Sequence, residues 1–278
     1  MLRIKINKPF NLNASVTCGQ AFRFFERDNS FDIILKDRVV NVYMDEGNLY
    51  VSSNKEDNLK EVIINYFDLN NDYEKINNII KEKDAKIRDA VDYSNGLMML
   101  RQAPFETLIA YIISANNGVV QITNALNMIA KRYGKKVLFN NREYYLFPSY
   151  QDLKDVSTED FRYCKVGFRD KYLKKIIEKL NNNDMNLEEY YNMSTEDALK
   201  DLMKNDGIGP KVASCILLFA YQKYDVFPVD TWVKKIMKDK YNIEGEQKIR
   251  DFAKKTYGMY SGLALQYLFN YSRNKKGV

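Results

Sequence analysis

Histidine is absent from the chain, which excludes every chemistry that depends on an imidazole ring. Ser-His-Asp and Cys-His nucleophile systems, imidazole general bases and histidine-ligated metals are all ruled out. The three cysteines, Cys18, Cys164 and Cys215, are widely separated and odd in number, which fits neither a disulfide framework nor a four-thiolate zinc or iron-sulfur site. We therefore expect a reducing, cytoplasmic setting, with any acid-base chemistry supplied by Asp, Glu, Lys, Tyr or Cys.

Long apolar runs are also missing, because charges interrupt every stretch that approaches the ~20 residues of a membrane span. Residues 1–5 lack the apolar core of a signal peptide, so we expect no membrane partner. Hydrophobic residues nevertheless make up 45% of the 278, enough for one large core or two smaller ones. The 43 Lys and Arg against 37 Asp and Glu give a net charge of +6, which allows a polyanionic partner without requiring one.

The spacing of apolar residues changes near Asn54, which predicts an α+β protein. Before this point, short alternating runs joined by polar, glycine-containing links predict an antiparallel meander. The predicted strands are residues 2–6, 21–26, 31–35, 38–44 and 48–52. Helical spacing follows, first over residues 59–67 and 76–91. The later predicted helices are residues 104–115, 119–133, 171–180, 195–204, 210–222, 231–241, 246–256 and 260–271. We place the domain boundary between an N-terminal sheet domain of residues 1–95 and a helical domain of residues 96–278.

A glycine-rich turn between two predicted helices is the most informative stretch of the sequence. Gly207 and Gly209 allow backbone conformations closed to other residues, and Pro210 suits the first position of a helix. The unpaired N–H groups of such a helix start can hold a phosphate, although an ordinary interhelical turn has the same glycines. Lys211 favours the first interpretation, because a lysine at the positive end of a helix dipole costs up to about 1 kcal/mol. Two uses remain for it: pairing with a phosphate, or acting as a nucleophilic amine.

Asp230 stands just before another predicted helix, where it would ordinarily be an N-cap. The helix of residues 210–222 is about 18 Å long at ~1.5 Å per residue. Residues 224–228 in extended form return roughly 16 Å at ~3.3 Å per residue, enough to bring Asp230 beside Lys211. An amine and a carboxylate in one cleft suit cleavage of a glycosidic bond, followed by strand cleavage through a Schiff base, with no metal or organic cofactor required.

The Gly-Ile-Gly-Pro-Lys turn at residues 207–211, followed by Pro-Val-Asp at 228–230, resembles the helix-hairpin-helix (HhH-GPD) DNA glycosylase superfamily, and within it the 8-oxoguanine glycosylases. Three more stretches match that family, so the likeness spans nearly the whole chain: residues 18–24, residues 100–102 through 114–117, and residues 167–169. The resemblance implies an antiparallel sheet domain beside a helical body. It also implies a bifunctional, monomeric enzyme of base excision repair acting on double-stranded DNA that contains 8-oxoguanine.

By this resemblance Lys211 is the catalytic nucleophile and Asp230 the carboxylate that assists it. The residues implied to contact the damaged base are Gly19, Cys215, Phe269, Leu265 and Pro228. The Gly19 carbonyl would accept the N7 hydrogen that oxidised guanine has and guanine lacks, while Cys215 and Phe269 would sandwich the flipped base. Taken alone, either of the last two would be an ordinary core residue.

The remaining implied contacts are with the opposite base and the DNA backbone. These residues are Asn116, Gln121, Phe168, Arg169, Gly207, Gly209 and Trp232. Asn116 would fill the gap left by the flipped base, Arg169 would read the opposite base, and Phe168 would be a wedge that kinks the duplex. Alone, Asn116 suggests a helix cap and Arg169 a surface arginine.

Three positions depart from the family pattern. Gln121 stands where the animal enzymes have an arginine that helps demand cytosine, which predicts weaker opposite-base discrimination. Leu265 replaces a glutamine that bonds the base, and Trp232 replaces a phosphate-contacting histidine, so base recognition should be less polar.

The family also binds an alkali or alkaline-earth ion through hairpin carbonyls, which would fall at Met203, Asn205 and Ile208.

Two alternatives remain open. A same-fold glycosylase for oxidised pyrimidines or mispaired adenine is disfavoured, since many of those carry a four-cysteine iron-sulfur cluster near the C-terminus and the last cysteine here is Cys215. A non-catalytic DNA-binding module would use the hairpin only to grip phosphates. Such a module has no use for Lys211 and Asp230 converging on one cleft.

Overall fold

The computed structural model describes residues 1–275 and opens with a five-stranded antiparallel sheet. Its strands are β1 (Leu2–Lys5), β2 (Phe24–Glu26), β3 (Phe31–Ile34), β4 (Val39–Asp45) and β5 (Asn48–Ser53). The spatial order β1-β5-β4-β3-β2 makes β2 to β5 the predicted meander, with β1 added beside β5. Val42 pairs with Phe31 on one side and with Val51 on the other, so apolar side chains lie in register across the sheet.

Helices dominate the rest of the chain, as the change of period predicts. Their bounds are α1 (Leu12–Thr17), α2 (Leu59–Tyr66), α3 (Tyr73–Lys83), α4 (Arg88–Tyr93), α5 (Pro104–Ile113), α6 (Val119–Tyr133), α7 (Thr158–Tyr163), α8 (Asp170–Asn181), α9 (Thr195–Leu202), α10 (Pro210–Tyr221), α11 (Thr231–Ile236), α12 (Glu246–Thr256) and α13 (Ser261–Lys275). The sheet followed by a helical body confirms the α+β fold class. None of the helices within residues 1–275 is both long enough and apolar enough to cross a membrane.

Each of the two parts of the molecule has its own apolar core. The sheet packs against α2, with Val42, Val51 and Ile63 fully buried between them. The larger core lies among the helices, and α5 runs through it with every residue from 107 to 113 buried, packed against α10. Helices α3 and α4 precede the boundary placed at residue 95 and bury their apolar faces in this helical core. That boundary stays a prediction.

Several elements differ from the predicted ones, and α7 is one that was not predicted. Helix α1 was not predicted; Asn11 begins it by accepting the Ala14 N–H through its side chain. A second sheet was also not predicted, consisting of β6 (Lys136–Phe139) and β7 (Arg142–Tyr145). The predicted helix over residues 231–241 is α11 followed by a π-helical turn, Met237–Tyr241.

The β6–β7 hairpin joins the two parts of the molecule. Asn140 and Asn141 form its turn with φ values of +50° and +58°, a conformation that asparagine tolerates better than most residues. Phe139 and Tyr144 pack on Ile34 of the large sheet in a small third cluster. The hairpin therefore fixes the sheet against the helical body that carries the site.

Candidate active site

The turn between α9 and α10 has the geometry of a helix-hairpin-helix. The Ile208 N–H donates to the Asn205 carbonyl at 3.1 Å and closes the turn. Gly207 has φ +81°, and a Cβ there would lie 2.5 Å from the ring of Tyr172, so only glycine fits. Gly209 has an ordinary φ of −86° and open space where a Cβ would stand. The turn is thus tightly packed on one side and open on the other.

The open side is the start of α10, where no side chain caps the helix. The first N–H groups of a helix lack intrahelical partners, so this end can receive an anion. Pro210 occupies the first position and contributes no N–H, which leaves Lys211 and the residue after it as donors. A DNA phosphate is the anion that suits such a turn.

The two glycines make a matched pair of variants. We expect Gly209→Ala to fold like the wild type, because its φ is ordinary and its Cβ meets nothing, yet to bind duplex DNA about tenfold more weakly, since a methyl group would stand at the phosphate site. We expect Gly207→Ala to lose at least ~1 kcal/mol of stability from left-handed strain alone. Thermal unfolding and duplex titration separate the two effects. Wild-type DNA affinity in Gly209→Ala would place the phosphate elsewhere.

Lys211 reaches from α10 to the C-terminal end of α5. Its Nζ donates to Ser114 Oγ at 3.2 Å and lies 5.3 Å from the centre of the Tyr111 ring. Ser114 Oγ in turn donates to the Tyr111 carbonyl at 2.7 Å, so its lone pair is directed at the amine. These contacts hold the half-buried Lys211 amine in position. Among residues 1–275, no carboxylate forms an ion pair with it. Neither Ser114 nor Tyr111 was predicted as a site residue.

Asp230 is the N-cap of α11. Its Oδ1 accepts the Val233 N–H at 2.8 Å, while Oδ2 has no hydrogen-bond partner in residues 1–275. The cap interpretation is therefore correct, but it uses only one of the two carboxylate oxygens. The other is available to a ligand.

Lys211 and Asp230 converge on the thiol of Cys215, which lies one turn after Lys211 on α10. Burial raises the pKa of Cys215 to about 11; the charge of Asp230 also raises it, and the ammonium of Lys211 opposes the rise. The pKa of Tyr111 is raised as well, by burial first and then by charges that include Asp230. The Lys211 amine and the Asp230 carboxylate thus border the same buried surface.

The loop before β2 lies beside this surface. Gly19 has φ +89°, and a Cβ there would lie 3.3 Å from Cε1 of Phe269. The preceding Cys18 carbonyl accepts from Gln266 Nε2 at 3.0 Å, a buried bond that the sequence did not predict. Gln20 anchors the other side by donating to the Met98 carbonyl at 2.7 Å. The Gly19 carbonyl therefore belongs to a rigid backbone.

The other residues predicted to contact the damaged base line the same region to different depths. Leu265, Pro228 and Cys215 are buried, and Phe269 is half-buried. Leu265 presents no polar group, as its type dictates. The contacts of these residues with a damaged base, implied by the resemblance, stay predictions.

Four of the predicted DNA-contacting residues are exposed. Phe168 is 58% exposed, and Trp232 is 46% exposed in the first turn of α11. Asn116 has φ +51° in an exposed loop after α5, and Gln121 is exposed one turn into α6.

Arg169 differs from the expectation of a surface arginine, because it is only 6% exposed. Its guanidinium donates to the carbonyls of Ala115 and Val166 and stacks on the Phe168 ring at 4.3 Å. It therefore ties the Phe168 turn to the loop that carries Asn116. Its predicted contact with the opposite base stays a prediction.

Comparison with known proteins gives two family matches that together cover most of the chain. Residues 1–108 match the family described as 8-oxoguanine DNA glycosylase, N-terminal domain. Residues 109–257 match the HhH-GPD superfamily of base excision DNA repair proteins. A probable N-glycosylase/DNA lyase of Methanothermobacter thermautotrophicus is 32% identical over 77% of this chain and 75% of its own length.

Solved structures agree with these matches. The 8-oxoguanine glycosylase/lyase of Clostridium acetobutylicum, crystallised with double-stranded DNA containing cytosine opposite 8-oxoguanine, is 38% identical with a TM-score of 0.92, covering 97% of this chain and 93% of that one. The MBOgg1 protein, solved with a low-affinity DNA ligand, is 32% identical with a TM-score of 0.94, covering 99% and 96%. The fold and the order of its elements are shared across both domains.

Proposed function

The chain belongs to the HhH-GPD superfamily of base excision DNA repair proteins, and from this membership we propose that it excises 8-oxoguanine from duplex DNA and then nicks the strand. The observation that carries the proposal is the convergence of the Lys211 amine and the Asp230 carboxylate beside the rigid Gly19 loop. A non-catalytic DNA-binding module would need the hairpin but not this pair.

Catalysis begins at the Nζ atom of Lys211. The Nζ lone pair attacks C1′ of the sugar, the bond from C1′ to N9 breaks, and its electron pair leaves with the base, which takes up a proton. Positive charge develops on the sugar as this bond lengthens. The free Oδ2 of Asp230 stabilises that charge, an electrostatic effect typically worth several kcal/mol at a preorganised site.

Strand cleavage follows from the amine-linked sugar. Ring opening gives a Schiff base between Lys211 and C1′, which acidifies the hydrogen on C2′. Loss of that proton expels the 3′ phosphate by β-elimination, and water then hydrolyses the imine and releases Lys211. Water is the only co-reactant that these steps require.

The DNA is held by exposed side chains and the hairpin in this proposal. Phe168 enters the base stack and Asn116 occupies the space of the flipped nucleotide, while Arg169 fixes the two segments relative to each other and reads the opposite base. Trp232 lies against the backbone. Gln121 lacks the two-donor fork of arginine, so the enzyme accepts bases other than cytosine opposite the lesion.

The hairpin carbonyls of Met203, Asn205 and Ile208 would hold an alkali or alkaline-earth ion. Oxygen donors of this kind suit hard cations, and the Asn205 carbonyl spends only one lone pair, on the Ile208 N–H. When bound, the ion would supply positive charge for a DNA phosphate. Within residues 1–275 no cluster of three or more acidic or cysteine side chains is placed to hold a metal. We also propose that the protein acts as a cytoplasmic monomer.

Borohydride trapping tests the proposed function. The protein is incubated with end-labelled duplex containing one 8-oxoguanine opposite each of the four bases, beside undamaged duplex and duplexes with an oxidised pyrimidine or a mispaired adenine. We expect a covalent adduct only with 8-oxoguanine, and rates within about tenfold across opposite bases, since loss of a bidentate donor removes ~1–3 kcal/mol of discrimination. Trapping on the pyrimidine or adenine duplex instead would identify a different lesion. Excision without an adduct would contradict lysine attack.

A further inference from the structure

One face of α13 runs from the buried interior to the surface beside Gly19. Leu265, Phe269 and Arg273 are spaced four residues apart and therefore lie above one another on the helix. Leu265 is buried, Phe269 is half-buried and Arg273 is exposed. The only strongly polar member of this series is at the surface.

Arg273 borders the backbone of Gly19. A Cβ placed on Gly19 would lie 3.4 Å from a terminal guanidinium nitrogen of Arg273, almost the same distance as from Phe269. Within residues 1–275, Arg273 makes no hydrogen bond and no ion pair. The buried arginines nearby differ, since Arg23 and Arg169 are bonded to carboxylate or carbonyl oxygens. An unpaired fork of donors therefore stands beside the Gly19 backbone.

We propose that Arg273 is a specificity-determining residue that donates to an acceptor oxygen of the damaged base; this rests on the proposed function. The oxidised edge of 8-oxoguanine presents the N7 hydrogen flanked by O6 and O8. A carbonyl acceptor at Gly19 next to guanidinium donors at Arg273 is complementary to that order of donor and acceptors. Arg273 thereby supplies the polar contact that Leu265 does not make.

The Arg273 guanidinium and the Gly19 carbonyl have different roles in recognising the base. A guanidinium alone would also accommodate guanine, because arginine commonly pairs with its O6 and N7. The Gly19 carbonyl opposes guanine, whose N7 carries a lone pair in place of a hydrogen. Arg273 therefore contributes affinity for the oxidised base, and Gly19 contributes rejection of the normal one.

Two variants test this assignment. Arg273→Met keeps a long, helix-compatible side chain and removes the donors, while Arg273→Lys keeps the charge and loses the fork. We expect Arg273→Met to lower single-turnover kcat/KM on 8-oxoguanine duplex by roughly 10- to 100-fold, as for loss of a charged hydrogen bond. Affinity for undamaged duplex and for duplex with an abasic analogue should stay within about twofold. Arg3→Met, an exposed arginine on β1, controls for the loss of one positive charge.

The result that overturns the proposal is an equal loss of affinity for all three duplexes, restored by Arg273→Lys and accompanied by a salt dependence reduced by about one phosphate contact. Unchanged excision by Arg273→Met overturns it as well. Failure of the proposed function is seen separately, because the wild-type protein would then release no 8-oxoguanine in the same assay.

Discussion

Lys211→Gln is expected to bind 8-oxoguanine duplex with nearly wild-type affinity, to form no borohydride-trapped adduct and to lose strand cleavage by at least ~1000-fold. Glutamine keeps most of the stem and a donor that can meet Ser114 Oγ, where the lysine Nζ now lies at 3.2 Å. Its amide nitrogen has no nucleophilic lone pair, so the covalent step is lost. Gel-shift titration and denaturing electrophoresis of the end-labelled strand measure the two quantities.

Lys234→Gln is the matched control for this variant. Lys234 is exposed on α11 and pairs with Glu246 at 2.7 Å, so its substitution removes the same charge from a side chain that pairs elsewhere. It should trap and cleave like the wild type. Full activity in Lys211→Gln would instead require another amine, and the mass of the trapped peptide would identify it.

Asp230→Asn is expected to slow single-turnover base excision by about 100-fold while leaving DNA affinity and thermal stability unchanged. Asparagine caps a helix about as well as aspartate, so the bond to the Val233 N–H at 2.8 Å is retained. What is lost is the negative charge that stabilises the sugar as the base leaves. Rapid-quench assays with enzyme in excess isolate this step from product release.

Two further variants distinguish the loss of the Asp230 charge from the loss of its helix cap. Asp230→Ala removes both and should also destabilise the protein by about 1 kcal/mol. Asp72→Asn changes another aspartate that caps a helix, where it accepts the Lys75 N–H at 3.0 Å, and should leave excision unaffected. Normal excision by Asp230→Asn would reduce this residue to a structural cap.

Elements with strong local signals were predicted from the sequence almost to the residue. The predicted bounds of α6 and α12 coincide with the observed Val119–Tyr133 and Glu246–Thr256, since both combine an amphipathic pattern with a glycine at the N-cap. Helix α1 was missed because six residues carry too little periodicity to stand out from neighbouring strands. The β6–β7 hairpin was missed although its Asn-Asn turn was a usable signal.

The site residues likewise include some that the sequence predicts and some that it does not. Lys211 and Asp230 could be predicted because each is fixed by a local feature, a glycine turn and a helix start. Ser114 lies 97 residues from Lys211, and Gln266 lies 248 residues from the Cys18 carbonyl that it binds. No sequence spacing predicts such partners, because only the packing of the folded chain brings them together.

The bond between Gln266 and the Cys18 carbonyl also bears on how the protein is made. Gly19 and Phe269, the two residues proposed to border the damaged base, come from the loop after α1 and from α13. Contacts this distant in sequence form late, after the segments between them are in place. During synthesis the lysine on α10 leaves the ribosome before α13 does. The nascent chain therefore gains its selective pocket only in its last stage of folding, so that discrimination between damaged and normal guanine is a property of the finished fold.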